Sequence, residues 1–558
     1  MSTVGVHAQN ETVLVIAQQS DPGVLNELLG DTLGGLFVNQ NVYQPLVTLG
    51  YEGQTIIPQL ASTWTVSSDG LNYTFHLRPG LKWQDGTPFT ADDVKFTMDT
   101  TLSLPSWAVA YLASVNRIIV NDPYNVTFEL KTPDAGWLAL FAFGSNWGLN
   151  ILPKHLYEGT NVSSNQYNQA PIGIGPYKFV NHVAGQSITL AANPDYWGGK
   201  PPVDRVVIKV IPQPATALQE LQSGDVQYVT TSDNPVAFSQ IPPMANISNI
   251  EISRPLSGVL TWFLYNTNDT VLKNATLRQA IGYAINRTEL TQKAYYGYAL
   301  PMNGFYLQGK WYNPSAELNY NPAKATQLLD QLGYPQGTCR LNLEFAYHPL
   351  FGMDVEAQVV KEQLAQVGIC LTLWSGDYAT WFAKVHVDGN YQLALRASMV
   401  GPEPSMMWPW LDPTHEGESG STFFNNTEMN DLFAQAKQIT DFTQRKALYD
   451  QVQQILHDNV PILPLTAIQD VNLWRSDLVK NLGPETGVNR WDLSKAEMLS
   501  SAAPGGIDPF LIAAAVIIIV VVVIGGVVWW VRRSRAAKKP EEEPSEQQPP
   551  QAGPPGAS

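Results

Sequence analysis

The run from Pro509 to Val531, PFLIAAAVIIIVVVVIGGVVWWV, carries no charge and matches the roughly 20 apolar residues a helix needs to cross a bilayer. A buried core helix is the alternative, but cores rarely call for an all-round apolar, β-branched run at a chain end. Arg532, Arg533, Arg535, Lys538 and Lys539 follow directly, a cationic cluster that the positive-inside rule places in the cytoplasm, with Trp529 and Trp530 at the interface. Residues 509–531 are therefore read as a single transmembrane helix, with 501–508 as its linker and everything earlier outside the cell. Residues 532–558 read as a cytoplasmic basic stop and a Pro- and Glu-rich tail without apolar anchors, expected to be disordered. Asn-x-Ser/Thr triplets at Asn10, Asn72, Asn125, Asn161, Asn246, Asn268, Asn274, Asn286 and Asn425 all precede the membrane run, as an exported glycoprotein requires. At the other end Val6-His7-Ala8 resembles the close of a cleavage site, so residues 1–8 read either as a signal-peptide remnant or as ordinary chain. No cysteine lies nearby to carry a lipid, which leaves the C-terminal helix as the expected anchor.

The remaining length exceeds the roughly 100 to 200 residues of one domain, so two or more lobes are expected. The balance of 33 Lys+Arg against 49 Asp+Glu, a net charge of -16, opposes attraction to nucleic acid phosphates or anionic lipid. Charged residues make up 15% of the chain, below the usual value of about 25%, so uncharged polar groups supply the surface. That balance suits an acidic exterior, and a stability optimum near neutral pH would overturn this expectation. The two cysteines, Cys339 and Cys370, cannot build a zinc site alone, and neither a metal nor a cofactor is expected.

Strand-like runs at Thr12 to Ala17 and Tyr73 to Leu77 alternate with helix-like stretches such as Ala91 to Thr101, where Thr90 and Asp93 form a capping-box-like start. Farther on, Pro322 to Leu332, Leu341 to Tyr347, Asp354 to Gln366 and Ile369 to Trp374 read as helix, strand, helix, strand, a βαβ unit with parallel strands. The fold class is α/β. Cys339 precedes the first of those strands and Cys370 begins the second, which would bring them within bridging distance outside the cell; two buried free thiols are the alternative.

No phosphate loop, His-Glu-x-x-His or Gly-x-Ser-x-Gly signature occurs, and Gly417-Glu418-Ser419-Gly420 is only a near miss. His76 falls on the polar face of its strand and reads as a solvated surface histidine. Asp92 and Asp93 sit where a helix's first turn favours negative charge. Aromatic density does stand out, with 16 Trp and 23 Tyr, because flat faces with a polar handle suit sugar rings, peptide side chains and interfaces alike.

The block from Ala61 to Asp99, ASTWTVSSDGLNYTFHLRPGLKWQDGTPFTADDVKFTMD, resembles the signature region of the family 5 extracellular solute-binding proteins, the peptide-type components of ABC importers. The likeness continues through Gly173-Ile174-Gly175-Pro176-Tyr177-Lys178, Asn193-Pro194-Asp195-Tyr196-Trp197, Leu277-Arg278-Gln279-Ala280-Ile281 with Asn286-Arg287, and Val460-Pro461-Ile462-Leu463-Pro464-Leu465. It implies a two-lobed, hinged, periplasmic-binding-protein-like clamshell that closes on a ligand and presents it to permease and ATPase subunits, with no enzymatic step. It also implies a first lobe at 9–48, 168–257 and 480–500, a subsidiary domain at 49–167 and a second lobe at 258–479. The C-terminal anchor resembles that of archaeal members.

Peptide-binding members place an acid just after the strand that here reads Tyr391 to Ala397, to pair with the peptide's α-ammonium group. Ser398 to Gly401 holds none, and Glu403 two residues later would substitute in a shifted loop. Resemblance and position together nominate Gln18 and Gln19 after the first strand, Trp107 in the subsidiary domain, and Trp262 and Tyr265 near the crossover. From the second lobe they nominate Tyr378, Trp381, Ser398, Met399 and Glu403. An oligopeptide is the first ligand class and a neutral oligosaccharide the alternative; from another class, a surface glycan-acting enzyme would need a convergent acid pair roughly 5 to 9.5 Å apart.

Overall fold

Apolar runs long enough to be buried on both faces mark the parallel strands of this chain. In the computed structural model, which describes residues 11–499 except 27, 30–32, 51–54, 105–107, 146–148, 232–235, 307–308, 412–421 and 483–491, Val13–Gln18 is one such strand. It lies between Arg205–Val210 and Tyr228–Thr230, parallel to both, with Gln18 opposite Val210 and Ala17 opposite Val229. The helix Pro214–Ser223 joins those two neighbours, opening on a proline and closing at Gly224 with φ 91°. Antiparallel strands extend the sheet: Ser187–Ala192 and Tyr177–Val183 on one side, Asn472–Arg475 and Ile250–Ser253 on the other.

A second sheet is built around the βαβ unit legible in the sequence. Leu341–Tyr347 and Ile369–Ser375 are parallel, joined by the helix Met353–Gln366, and Leu393–Met399 runs parallel on the other side of Leu341–Tyr347. Leu256–Tyr265, Ile462–Gln469 and Ala299–Pro301 continue the sheet antiparallel. Cys370 stands opposite Asn342, and it forms a disulfide with Cys339 across a Cα separation of 5.6 Å. A thiol titration of the denatured, unreduced protein is accordingly expected to find no free group; two would refute the bridge.

Ala61–Val66, Asn72–Leu77, Asn125–Leu130 and Val115–Asp122 form a separate antiparallel sheet covered by the helix Ala91–Ser103. That helix starts with a capping box in which Asp93 accepts from the Thr90 N–H at 2.9 Å, and the same carboxylate accepts from the Lys154 N–H. This subsidiary layer shares its core with the first lobe, since Phe75, Phe128 and Trp137 belong to one apolar cluster with Leu14, Ile16 and Ile208. His76 is half-buried and bonded to Asn125 rather than solvated.

The two lobes are joined by a two-stranded ribbon. Ile250–Ser253 runs antiparallel to Asn472–Arg475 in the first sheet, and Leu256–Tyr265 runs antiparallel to Ile462–Gln469 in the second. At the crossing the Asp470 N–H donates to the Pro255 carbonyl at 2.8 Å and the Gln469 amide donates to the Arg254 carbonyl at 2.9 Å. The return crossing therefore comes at Asp470–Val471 and not at Lys480, because Asn472–Arg475 completes its hydrogen bonds against Tyr228–Thr230 of the first sheet.

Residues 1–8, the linker, the run 509–531 and the tail lie outside the described residues. Among the described residues no helix is long and apolar enough to cross a membrane.

Candidate functional site: a cleft between two carboxyl edges

In α/β sheets, ligands bind outside the carboxyl ends of the parallel strands. Here the ribbon forces two such edges together. Gln18, Val210 and Thr230 end their strands on the side where Ser253 meets Asn472, which is the crossing itself. Met399 ends its strand opposite Val259, just beyond the same crossing, and Tyr347 and Ser375 end on that side too. The loops after these strands border the cleft: Gln19 to Pro22 from the first lobe, and His348 to Gly352, Gly376 to Tyr378 and Val400 to Glu403 from the second.

The subsidiary layer also reaches the second lobe. The Ala135 N–H donates to the Lys437 carbonyl at 2.8 Å, and Lys437 Nζ lies 3.5 Å from Asp134 Oδ2. Gly136 is pressed so closely on Glu403 that a methyl there would stand 2.7 Å from Glu403 Cγ. On another flank the Phe238 ring of the first lobe packs edge-on to Tyr295, with centroids 5.2 Å apart.

The predicted site residues divide by position. Gln18 is buried at the end of its strand, its amide nitrogen donating to the Ser20 carbonyl and its Oε1 left without a partner among the described residues. Gln19 is half-buried and Ser398 half-buried opposite Leu260, while Met399 is exposed. Tyr378 is exposed and lies over Trp381 at 6.0 Å with rings 28° apart. These residues fall at the carboxyl edges, and Trp107 lies outside the described residues.

For the others the expectation of an open cleft position is corrected. Trp262 and Trp381 are buried in one core cluster with Leu260 and Met302, and Tyr265 is buried in another beside Phe263. Leu256–Tyr265 is a central strand, so its alternate side chains enter the two packed layers and not the cleft. Glu403 is 2% exposed and its carboxylate is taken by the Arg445 guanidinium and by the Tyr449 hydroxyl at 3.2 Å. Burial pushes its carboxyl above the usual range against the pull of the Arg445 charge. An α-ammonium group would have to displace Arg445, so Glu403 is not its free partner.

The candidate glycosylation residues also divide. Asn161, Asn246, Asn268, Asn274 and Asn425 are exposed, while Asn72, Asn125 and Asn286 are half-buried. Asn274 and Asn286 cap helices through their side-chain oxygens.

Two residues absent from the sequence-based set stand at the second lobe's edge. His348 follows its strand directly, is buried against Tyr378 and Trp381, and has no hydrogen-bond partner on either ring nitrogen among the described residues. Burial, with the nearby Arg396 charge, pushes its imidazole down to about 4, so it is neutral in ordinary buffers. Phe351, three residues on, is exposed. The place immediately after a parallel strand is the signal that would have found both.

The family model for the bacterial extracellular solute-binding proteins, family 5 (Middle), matches residues 55–418. The chain belongs to this family. It is 29% identical over 443 residues to a putative ABC transporter peptide-binding protein of Brucella ovis, covering 77% of this chain and 82% of that one. The ABC transporter substrate binding protein CtaP of Listeria monocytogenes has a similar structure, with TM-score 0.76, 26% identity, and coverage of 88% of this chain and 100% of that one. The periplasmic binding protein DppA of Helicobacter pylori, solved with the peptide STSA, matches with TM-score 0.68 and 26% identity, over 87% and 98% of the two chains. The two-lobed α/β architecture is that of family 5 solute-binding proteins.

Proposed function

We propose that this protein is the substrate-binding subunit of an ABC importer, capturing oligopeptides outside the cell and delivering them to a membrane permease powered by separate ATPase subunits. The observation that carries this reading is the pair of carboxyl edges held face to face by a two-stranded ribbon, in a chain related to peptide-binding proteins. A ribbon of two strands is a natural hinge, and a ligand touching both edges favours the closed form over the open one. No covalent step is needed. The cleft edges offer neutral groups, the half-buried Gln19 of the first lobe and the half-buried Ser398 of the second, the latter followed by the exposed Met399. With Glu403 sequestered, neutral hydrogen bonding and apolar contact carry recognition at Ser398, Met399 and Tyr378, while the carboxylates of the bordering loops, Asp21 and Asp377, are engaged by His182 and by the Thr380 N–H. We further place the membrane anchor at 509–531, an arrangement resembling that of archaeal members.

Thermal unfolding against panels of di- to pentapeptides and of oligosaccharides tests the reading. A peptide at 100 times its dissociation constant is expected to add about 2.7 kcal/mol of stability. A shift with sugars alone would replace the cargo by an oligosaccharide, and no shift with either would refute the peptide assignment.

A further inference from the structure

Phe351 occupies the left-handed region at φ 57° and ψ 25°, where a bulky side chain is an outlier, and it is 51% exposed. The next residue, Gly352, is also left-handed at φ 77° and already supplies the turn into the helix Met353–Gln366. Nothing in that turn calls for an aromatic one position earlier. Nor does packing explain it, for among the described residues Phe351 joins none of the apolar core clusters. Strain of this kind persists where the surrounding fold holds a residue in place for another purpose.

Position indicates the purpose. The loop 348–352 leaves the carboxyl end of Leu341–Tyr347, which lies between Leu393–Met399 and Ile369–Ser375 in the sheet. Those flanking strands lead to Met399, 38% exposed, and Tyr378, 43% exposed, while Leu350 beside Phe351 is 49% exposed. Three adjacent parallel strands thus end in four exposed large apolar side chains on the edge that faces the first lobe. The loop that carries Phe351 borders that lobe, since a methyl on the next residue, Gly352, would stand 3.8 Å from the Phe238 ring. That nearness, with the position after a parallel strand, puts the loop at the mouth of the cleft. His348 beneath Tyr378 is neutral and brings no charge to it.

We infer that Phe351 is a specificity-determining contact, a ring held out to receive an apolar or aromatic side chain of the bound peptide. The inference rests on the peptide reading above. It implies that cargo bearing Leu or Phe at the position meeting this ring binds more tightly than cargo bearing Ser, by roughly tenfold for a largely buried side chain.

The test uses the full chain with Phe351→Gly and Phe351→Asn, both of which tolerate the left-handed backbone. Calorimetric titration with peptide sets differing at one residue, Leu, Phe or Ser, reads the preference, and thermal unfolding reads the strain. Both variants are expected to cut the tenfold preference at one peptide position to below about threefold, to leave the Ser peptides within about twofold of wild type, and to unfold at the wild-type temperature or above. A preference retained at every position by folded variants overturns the inference, as does a lowered unfolding temperature, which would mark Phe351 as a packing residue. A wild type that binds no peptide in the set refutes the peptide reading instead, an outcome distinct from both.

Discussion

Exchanging Arg445 for alanine is expected to destabilise the protein by roughly 3–5 kcal/mol at pH 7.5, the cost of leaving a buried charge without its partner. Arg445 Nε donates to the Ala436 carbonyl at 3.1 Å while its NH2 group pairs with Glu403, and its guanidinium stands 5.1 Å from the Trp311 ring centroid. Glu403 is desolvated so strongly that its carboxyl already sits above the usual range with Arg445 present, and removing the guanidinium drives it higher. The orphaned carboxyl escapes by taking up a proton. The penalty should accordingly shrink at pH 4.5, where that proton costs little, and a denaturant midpoint measured at both pH values reads the difference. Replacing both partners, Arg445→Met with Glu403→Gln, should recover most of the loss, because a buried pair stabilises little against a neutral replacement. An Arg445→Ala loss below about 1 kcal/mol at pH 7.5, the range of a solvent-screened pair, would refute this account. The same pair underlies the contact between layers, because Gly136 seats the subsidiary layer directly on the Glu403 side chain.

How much of this was legible in the sequence depended on whether the signals were local. From Pro322 to Ser375 they agree at every level. Asn321 caps the first helix and Pro322 opens it, apolar spacing carries Met353–Gln366, and two β-rich runs flank that helix. The βαβ unit and the nearness of Cys339 and Cys370 follow from that stretch alone. The return crossing is different in kind. Asn472–Arg475 belongs to the first sheet only through its pairing with residues 228–230 and 250–253, more than two hundred positions earlier, and nothing local announces it. Site residues show the same division. Tyr378, nominated by the resemblance, and Met399 stand exposed beyond the ends of their strands, whereas an aromatic in a central strand such as Trp262 or Tyr265 gives no sign of which packed layer it enters. Glu403 looked available because Arg445, its partner, lies 42 residues on in a helix of another layer.

A second buried carboxylate, unpaired with any cation among the described residues, should make stability fall as pH rises. Glu356 is fully buried on the helix Met353–Gln366, its Oε1 accepting from the Thr261 hydroxyl at 2.8 Å and its Oε2 from the Tyr295 hydroxyl at 2.7 Å. Thr466 closes the cluster, 2.7 Å from Thr261. Burial pushes the Glu356 carboxyl from 4.5 up to about 7, and the two hydrogen bonds only moderate that rise. The folded protein therefore keeps a proton that the unfolded chain releases. Its contribution to stability is complete below about pH 4.5 and is lost as pH climbs to about 7, a change of about 3 kcal/mol. Glu356→Gln keeps the shape and abolishes the titration, so the variant should gain about 3 kcal/mol on wild type between pH 4.5 and pH 8. Comparing the two proteins cancels the carboxylates that act in the opposite sense, such as Asp204, Asp377 and Asp477, held low by Lys200, by the Thr380 backbone and by Arg475. A stability difference independent of pH would show that Glu356 stays charged in the folded protein. The sign matters beyond this one residue: a core that holds a proton near neutrality is best suited to an acidic exterior, the setting already suggested by a surface so sparing of charge.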